Sequence, residues 1–544
     1  MNLKQNILSI FITFCCFNAT AQVTFELTKF PKNNQLIPRN PATNLGTYTI
    51  VGTVARAANI TSLRLKISKD SILDKSITVP VPTTLDKFLF NIPIAIKAEL
   101  KNYTVELFGL KNNQEVALAK ADNVVSGDVF IINGQSNCIG RTEDVDYDKF
   151  MRSYTTDFGW NDINYSSPSR WGGRMAKEII DKERVPVAIF CEAAGGMRQT
   201  FYMRQTVNPY TDGNYGILYN RLKAAEVEKN VRALLWWQGE SDGWETPLDS
   251  FKNQFQRLNS QWKEDYNAPV LFFQVRFRSC THVNPAVFEA QRQLVTDIPN
   301  VEILSSNPAL SNDACHFFYS NGYDSIGNQA YRLLAAKLYN RSFTNTRPPN
   351  IVEAFYSGTN EITLKMRNIA GNLRVIGNPW SDFKLEGCTA KITGGSAYDY
   401  RIKLNCTGDT TGLTGISYLC HIDAFRQDWI VNPLNVGILQ FYNIPINKKQ
   451  LTDTALTPTR TEGVVFDISP TLVSDVLTVH FRGIEKAKKQ FDIVNTIGQI
   501  VLTKRIETLG DNAEINVSSL SKGLYFVRLS VDNQIVRNSQ KFVK

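Results

Sequence analysis

Long apolar runs are scarce in this chain. After its first 22 residues no segment reaches the ~20 consecutive apolar residues a membrane-spanning helix needs, so a soluble or surface-attached protein is expected. Histidine is rare, with four residues far apart, and none of the nine cysteines forms a CxxC pair. A structural zinc site therefore has little support, and no metal or cofactor is expected. Dense Lys/Arg blocks are also missing. A formal charge of +9 spread over 544 residues is a mild excess, so nucleic acid is not an expected partner. At about 150 residues per domain, the length suggests three or four domains.

The one sustained apolar stretch lies at the start, in "MNLKQNILSIFITFCCFNATAQ". Lys4 precedes an apolar core from Ile7 to Phe17, and Ala19-Thr20-Ala21 fits a small-x-small cleavage site. Residues 1–21 read as a secretory signal peptide, leaving Gln22 at the new terminus. Export permits disulfides. Seven cysteines remain after cleavage, namely Cys138, Cys191, Cys280, Cys315, Cys388, Cys406 and Cys420. The odd number leaves at least one thiol unpaired or bridged to another chain.

Residues 22–122 carry strand patterns. "SLRLKIS" and "NYTVELFG" alternate apolar and polar residues, which places one face on a core and the other in water. A β-sandwich domain is predicted. From 123 to 345 the rhythm changes. Near-continuous apolar runs at 128–132, 185–192, 231–237, 268–275 and 301–306 alternate with amphipathic stretches. In one of these, Phe251, Phe255, Leu258 and Trp262 fall on one helix face. Apolar strands separated by helices predict a central α/β domain of three layers, with a five-stranded, doubly wound parallel sheet. Residues 346–446 return to β patterns, Thr-rich 447–462 reads as a linker, and 463–544 forms a last β-sandwich module.

Ligands of an open parallel sheet bind beyond the carboxyl ends of its strands. The first run ends in "NGQSN" with Ser136, the second in "AAGGM" with Gly195 and Gly196, and the third in "QGESD" with Gln238 and Glu240. The fifth is followed by "SNDACHF" with Asp313 and His316. Only the fourth strand end offers nothing that acyl transfer needs. A serine becomes nucleophilic when a base takes its proton. His316 is the candidate base, and Asp313, three residues earlier, can orient it. The Ser136 N–H, that of Gly196 or Gly195, and the Gln238 amide are candidate oxyanion donors. Gln135, Asn137 and Glu240 are expected to brace the serine loop or touch substrate. Trp160 and Trp244 lie in loops from which an indole can stack on a sugar ring.

"NGQSN", "AAGG", "WWQGESD" and "DACH", in this order, resemble the SGNH (GDSL-like) hydrolases. The nearer match is their carbohydrate-esterase branch, with the sialate O-acetylesterases and acetylxylan esterases. The resemblance covers roughly 123–345. It implies Ser136 as nucleophile, His316 as base, Asp313 as its orienter, and Gly196 and Gln238 as oxyanion donors. An acetylated carbohydrate is the substrate it implies, with sialate O-acetyl esters first and acetylated xylan or pectin as alternatives. A silent glycan-binding protein on the same scaffold is a further alternative. Met197 departs from the pattern, since a small hydroxyl residue often follows the paired glycines. A Cys280–Cys315 disulfide would stiffen the base-bearing loop. The module at 463–544, with "ISPTLVSDVLTV", "VNTIGQIV", "SSLSKGLYFVRL" and the basic end "KFVK", resembles the C-terminal sorting domain of proteins exported by the type IX system. That resemblance implies the type IX secretion machinery as a partner and a secreted or cell-surface location.

Overall fold

The computed structural model describes residues 25–140, 146–162, 168–276, 284–299, 301–313, 315–421, 426–447, 466–469, 472–481, 489–495, 499–506, 512–531 and 534–544. The predicted signal peptide, Cys280 and the 447–462 segment beyond Asn447 lie outside them. The chain divides into two compact units, Met1–Lys448 and Lys449–Lys544.

The first unit opens with two facing antiparallel sheets. One pairs Phe25–Lys29, Leu45–Ala55 and Lys87–Lys97. The other pairs Ile72–Pro80, Ser62–Lys69 and Tyr103–Lys111. Ile50, Ile92 and Ile94 of the first share a core with Leu65, Val105 and Leu107 of the second. These are the inward positions of the period-two pattern.

The next strand, β1 (Gln114–Gly134), has 21 residues. Its first half pairs antiparallel with Tyr103–Lys111 in the sandwich. Its second half is buried and enters a parallel sheet between β4 (Val187–Cys191) and β5 (Val231–Trp237). Between β1 and β4 in sequence lie β2 (Met151–Thr155) and β3 (Gly159–Asn161), paired antiparallel at the edge. β6 (Val270–Gln274) and β7 (Val301–Ser305) extend the sheet beyond β5. The order is therefore β4-β1-β5-β6-β7, with β2 parallel to β4 outside it. The order reverses at β1, so the carboxyl ends of β1, β4 and β5 flank the switch point.

Helices connect the strands: α1 (Arg170–Glu183), α2 (Gly213–Ala224), α3 (Leu248–Asp265), α4 (Ala286–Asp297) and α5 (Asp324–Leu338). The stripe Phe251, Phe255, Leu258 and Trp262 is buried in α3. Phe272 of β6 meets Phe255 edge-on at 5.2 Å, while its neighbour Phe273 meets Trp171 of α1 at 5.0 Å. Successive side chains of a strand point to opposite faces, so α3 and α1 cover different sides of β6. Asp128, inside β1, is buried and chelated by Arg39 at 2.7 and 2.9 Å, with the Tyr339 hydroxyl donating at 2.7 Å. That cluster joins the sandwich, the sheet and the end of α5.

Residues 350–447 add a β-rich region with its own core, including Ile362, Leu364, Ile402 and Leu404. It is tied to the end of β6 by reciprocal amide bonds. Gln274 Nε2 donates to Gln440 O at 2.9 Å, and Gln440 N donates to Gln274 Oε1 at 2.8 Å. In the second unit, Phe466–Ser469, Val476–Phe481 and Asn512–Asn516 form one sheet. Ile500–Ile506, Lys489–Asn495, Leu524–Val531 and Gln534–Val543 form the other. Leu477, Val479 and Ile515 pack with Phe491, Ile493 and Val527 between them.

Candidate active site

β1 ends at Gly134, whose φ of +134° lies where glycine is favoured. A Cβ there would stand 2.0 Å from Trp237 O. The glycine thus lets β1 and β5 finish side by side, and Gln135 N donates to the same carbonyl at 2.8 Å. The chain then turns through a short 3-10 segment, Ser136–Cys138. Ser136 is half-buried at the head of that turn. The first amides of such a turn have no partner within it.

The flanking amide residues brace this turn. Gln135 Oε1 accepts from Gly239 N (3.0 Å) and Ser241 N (3.2 Å), and its Nε2 donates to Ser241 Oγ at 2.8 Å. Asn137 is buried and fully engaged. Its Nδ2 donates to Glu240 Oε1 (2.8 Å) and to Cys315 O (3.1 Å), while its Oδ1 accepts from the Tyr323 hydroxyl at 2.9 Å. Trp171 Nε1 donates to its carbonyl at 2.9 Å. Asn137 therefore holds the serine turn, the loop after β5 and the Asp-x-x-His loop together.

That last loop is closed by a bridge between Ser311 and Phe317 and by Asn312 N donating to His316 O at 2.8 Å. Asp313 Oδ1 accepts from Cys315 N (2.6 Å) and His316 N (2.7 Å), and its Oδ2 meets His316 Nδ1 at 3.2 Å. Partial burial works to raise the Asp313 pKa. The two backbone donors and the imidazole outweigh it and hold the carboxyl below the usual range. Asp313, Cys315 and His316 also present ligand-type atoms within 4.8 Å of one another. Cys315 is disulfide-bonded, which removes the thiolate a metal would need. Its expected partner, Cys280, lies outside the described residues. The other five cysteines after the signal are free.

Gly195 sits beside the serine, since a Cβ on it would come 4.0 Å from Ser136 Cβ. Gly196 has φ +71° and open space around it. Gln238 departs from the expected free oxyanion donor. It is fully buried, and its Nε2 donates to Met197 O at 3.2 Å and to Asp242 Oδ2. Asp242 also accepts from Gln199 N at 2.8 Å. One amide bond thus goes to the loop after β4 and the other to Asp242 on Gln238's own loop after β5. Trp160 is likewise withdrawn from any sugar. It is buried and packs edge-on against Tyr154 (5.7 Å) and Phe190 (6.0 Å). Trp244 is 62% exposed.

Glu240 is buried. Its Oε1 accepts from Asn137 and from Trp237 Nε1 (2.9 Å), while Oε2 has no hydrogen-bond partner among the described residues. Burial raises its pKa, against the pull of its own backbone N–H, Asn137, Trp237 and His316. The neutral form is therefore favoured by folding, and stability is lost as pH rises through the raised value. Glu240→Gln is expected to gain melting temperature relative to the natural protein at pH 8, and to gain less at pH 5. Thermal melts at both values measure the difference.

Sequence reasoning gave the fourth strand end no part. It carries Arg276, which is buried with its pKa pulled down to about 10 by desolvation. Its guanidinium donates to Asn307 Oδ1 (2.9 Å), Ser311 Oγ (2.8 Å), Ser306 O (2.7 Å) and Ala309 O. All four lie on the segment leading to Asp313, so Arg276 scaffolds the base loop. The signal was an arginine closing the apolar run "VLFFQV". Arg276→Ala strands buried acceptors and is expected to cost more than about 2 kcal/mol, read by chemical denaturation.

Residues 161–334 match the family described as carbohydrate esterase, sialic acid-specific acetylesterase. Residues 468–544 match the secretion system C-terminal sorting domain. The chain thus carries a carbohydrate-esterase domain of that family and a sorting domain. The esterase match includes Gly195, Gly196, Gln238, Asp313 and His316 but begins after Ser136. Among solved structures, the chain is similar to a carbohydrate acetylesterase from Xanthomonas citri. The TM-score is 0.53 at 16% identity, covering 75% of this chain and 97% of that one. It is also similar to a lipase/acylhydrolase from Enterococcus faecalis, with TM-score 0.27, 11% identity, and coverage of 40% and 100%. A third is an acetyl xylan esterase from the rumen bacterium Butyrivibrio proteoclasticus, with TM-score 0.26, 9% identity, and coverage of 58% and 96%. No curated protein matches the sequence.

Proposed function

We propose that the chain is an exported carbohydrate O-acetylesterase of the sialate type, built on a three-layer SGNH-type α/β domain. The observation that carries this reading is the Asp313 carboxylate, which grips two loop amides and His316 Nδ1. This pins one imidazole nitrogen and leaves Nε2 for a substrate proton, on a loop that Asn137 joins to the serine turn.

Ser136 Oγ attacks the acetyl carbonyl as His316 Nε2 takes its proton. The tetrahedral oxyanion is met by the N–H groups of Ser136 and of Gly195 or Gly196, and by Gln238 once its contact with Met197 O is exchanged for the substrate oxygen. Collapse expels the sugar oxygen, which takes the proton from His316. Water, deprotonated by His316, then releases acetate from the acetyl-enzyme. Asp313 keeps the tautomer and steadies the imidazolium. The sorting-domain match supports export by the type IX route, with residues 1–21 as the signal peptide.

Acetate release from O-acetylated sialosides, acetylxylan and acetylated pectin tests the reading, with the sialosides expected to be turned over best. No release from any of them would overturn the esterase assignment. Release from xylan or pectin alone would replace only the sialate part.

A further inference from the structure

A cavity of about 420 Å³ opens within the first unit, lined in part by Ser305, Asn307 and Leu310 of the segment that leads to Asp313. This is within the ~300–1,000 Å³ range of small-ligand sites. One wall is the outward face of α5, where Ser325, Asn328 and Arg332 follow one another at helical spacing. The opposite wall comes from the β-rich region, with exposed Gln427 and Asn435 above buried Trp429. Its described lining combines apolar side chains such as Leu310, Ile376 and Leu434 with amides, hydroxyls and a single charged group, Arg332. None of its described lining residues is an aspartate or glutamate.

Arg332 spends one bond on the fold, from Nη1 to Leu434 O at 3.2 Å, and its other donors have no partner among the described residues. Two more donors belong to lining residues, Asn307 Nδ2 and Trp429 Nε1, which are buried and have no hydrogen-bond acceptor among the described residues. Among the described residues the walls therefore hold unpaired donors and one positive charge, with no carboxylate in the lining. Such a surface complements a ligand rich in acceptor oxygens that carries one negative charge. None of Ser136, Gly195, Gln238 or His316 lines it.

We propose that this cleft is a second, non-catalytic glycan site that binds a carboxylated sugar residue of an oligosaccharide. Arg332 takes the carboxylate, and Ser325, Asn328, Gln427 and Asn435 bond the ring hydroxyls. The site anchors an acidic glycan to the enzyme independently of which ester is cleaved.

Calorimetric titration of the full chain bearing Ser136→Ala tests the proposal, with trigalacturonate and sialyllactose as acidic probes and xylotriose as the neutral one. At least one acidic probe is expected to bind about tenfold or more tighter than xylotriose. Adding Arg332→Gln should weaken that binding at least tenfold, and Gln427→Ala, at an exposed position, should weaken it less, both with unchanged melting temperature. Equal binding of the acidic and neutral probes, or binding that survives Arg332→Gln, overturns the proposal. Natural protein blocked at Ser136 by a phosphonate should still bind the acidic probe, whereas loss of binding would place the ligand in the catalytic cleft and overturn it. Failure of Ser136 to be labelled counts against the esterase reading alone, because the cleft is read in the Ser136→Ala chain.

Discussion

Ser136→Ala is expected to lower hydrolysis of an activated acetyl ester by roughly 10⁵-fold or more, with the melting temperature unchanged. The two parts of that result have separate causes. Acyl transfer needs an oxygen that can form and break a covalent bond. Ser136 supplies that oxygen at the head of the 3-10 turn, beside Gly195. The fold, by contrast, asks little of this hydroxyl. The turn is held by Gln135 and Asn137 through their side chains and by Gln135 N on Trp237 O, and all of these survive the substitution. Equal rates in the natural and substituted proteins would refute the assignment. A rate loss accompanied by an early melt would point to a collapsed turn instead.

Asp313→Asn is expected to reduce kcat by roughly 10³–10⁴-fold, with a smaller change in KM. An asparagine oxygen can still accept from Cys315 N and His316 N, so the loop keeps its shape. Its –NH₂ group would then face His316 Nδ1 as a donor. That favours the tautomer with the proton on Nε2, the wrong nitrogen for a base. Asp313→Ala removes the backbone bonds as well and should loosen the loop. The carboxyl is held below the usual carboxylate range, so its contribution to stability is present above the unfolded-state value and is lost as pH falls through the lowered one. Asp313 therefore stays ionised across neutral and mildly acid pH. Protonation of Asp313 should thus not set the acid limb of the activity profile, and steady-state rates from pH 4 to 9 check this.

The residues that sequence reasoning could read were those whose chemistry is tied to a strand end. Each apolar run ended where a strand ends, and Ser136, Gly195, Glu240 and Asp313 followed at positions set by the strand-then-turn pattern. What escaped depends on side chains meeting across the fold. The bond from Gln238 to Met197 O joins loops about 40 residues apart, and no local pattern encodes it. Arg276 was invisible for the same reason, because its acceptors arrive about 30 residues later on the segment after β7. Trp160 was placed in a loop because three residues are too short a strand to carry a period. In the structure it is β3, packed under the edge of the sheet.

The change of rhythm near 122–123 marks where β1 stops serving the sandwich and starts serving the parallel sheet, not where one element ends and another begins. At about 3.3 Å per residue, its 21 residues make a beam some 70 Å long that belongs to both halves. The sandwich is therefore poorly suited to module shuffling. A gene fusion that exchanged it would have to enter mid-strand and preserve the two-residue phase. A slip of one residue would turn the inward face of β1 outward and carry Ser136 with it. Inheritance of the N-terminal sandwich and the serine as one block is the expected pattern among proteins built this way, with variation gathering in the loops beyond the strand ends.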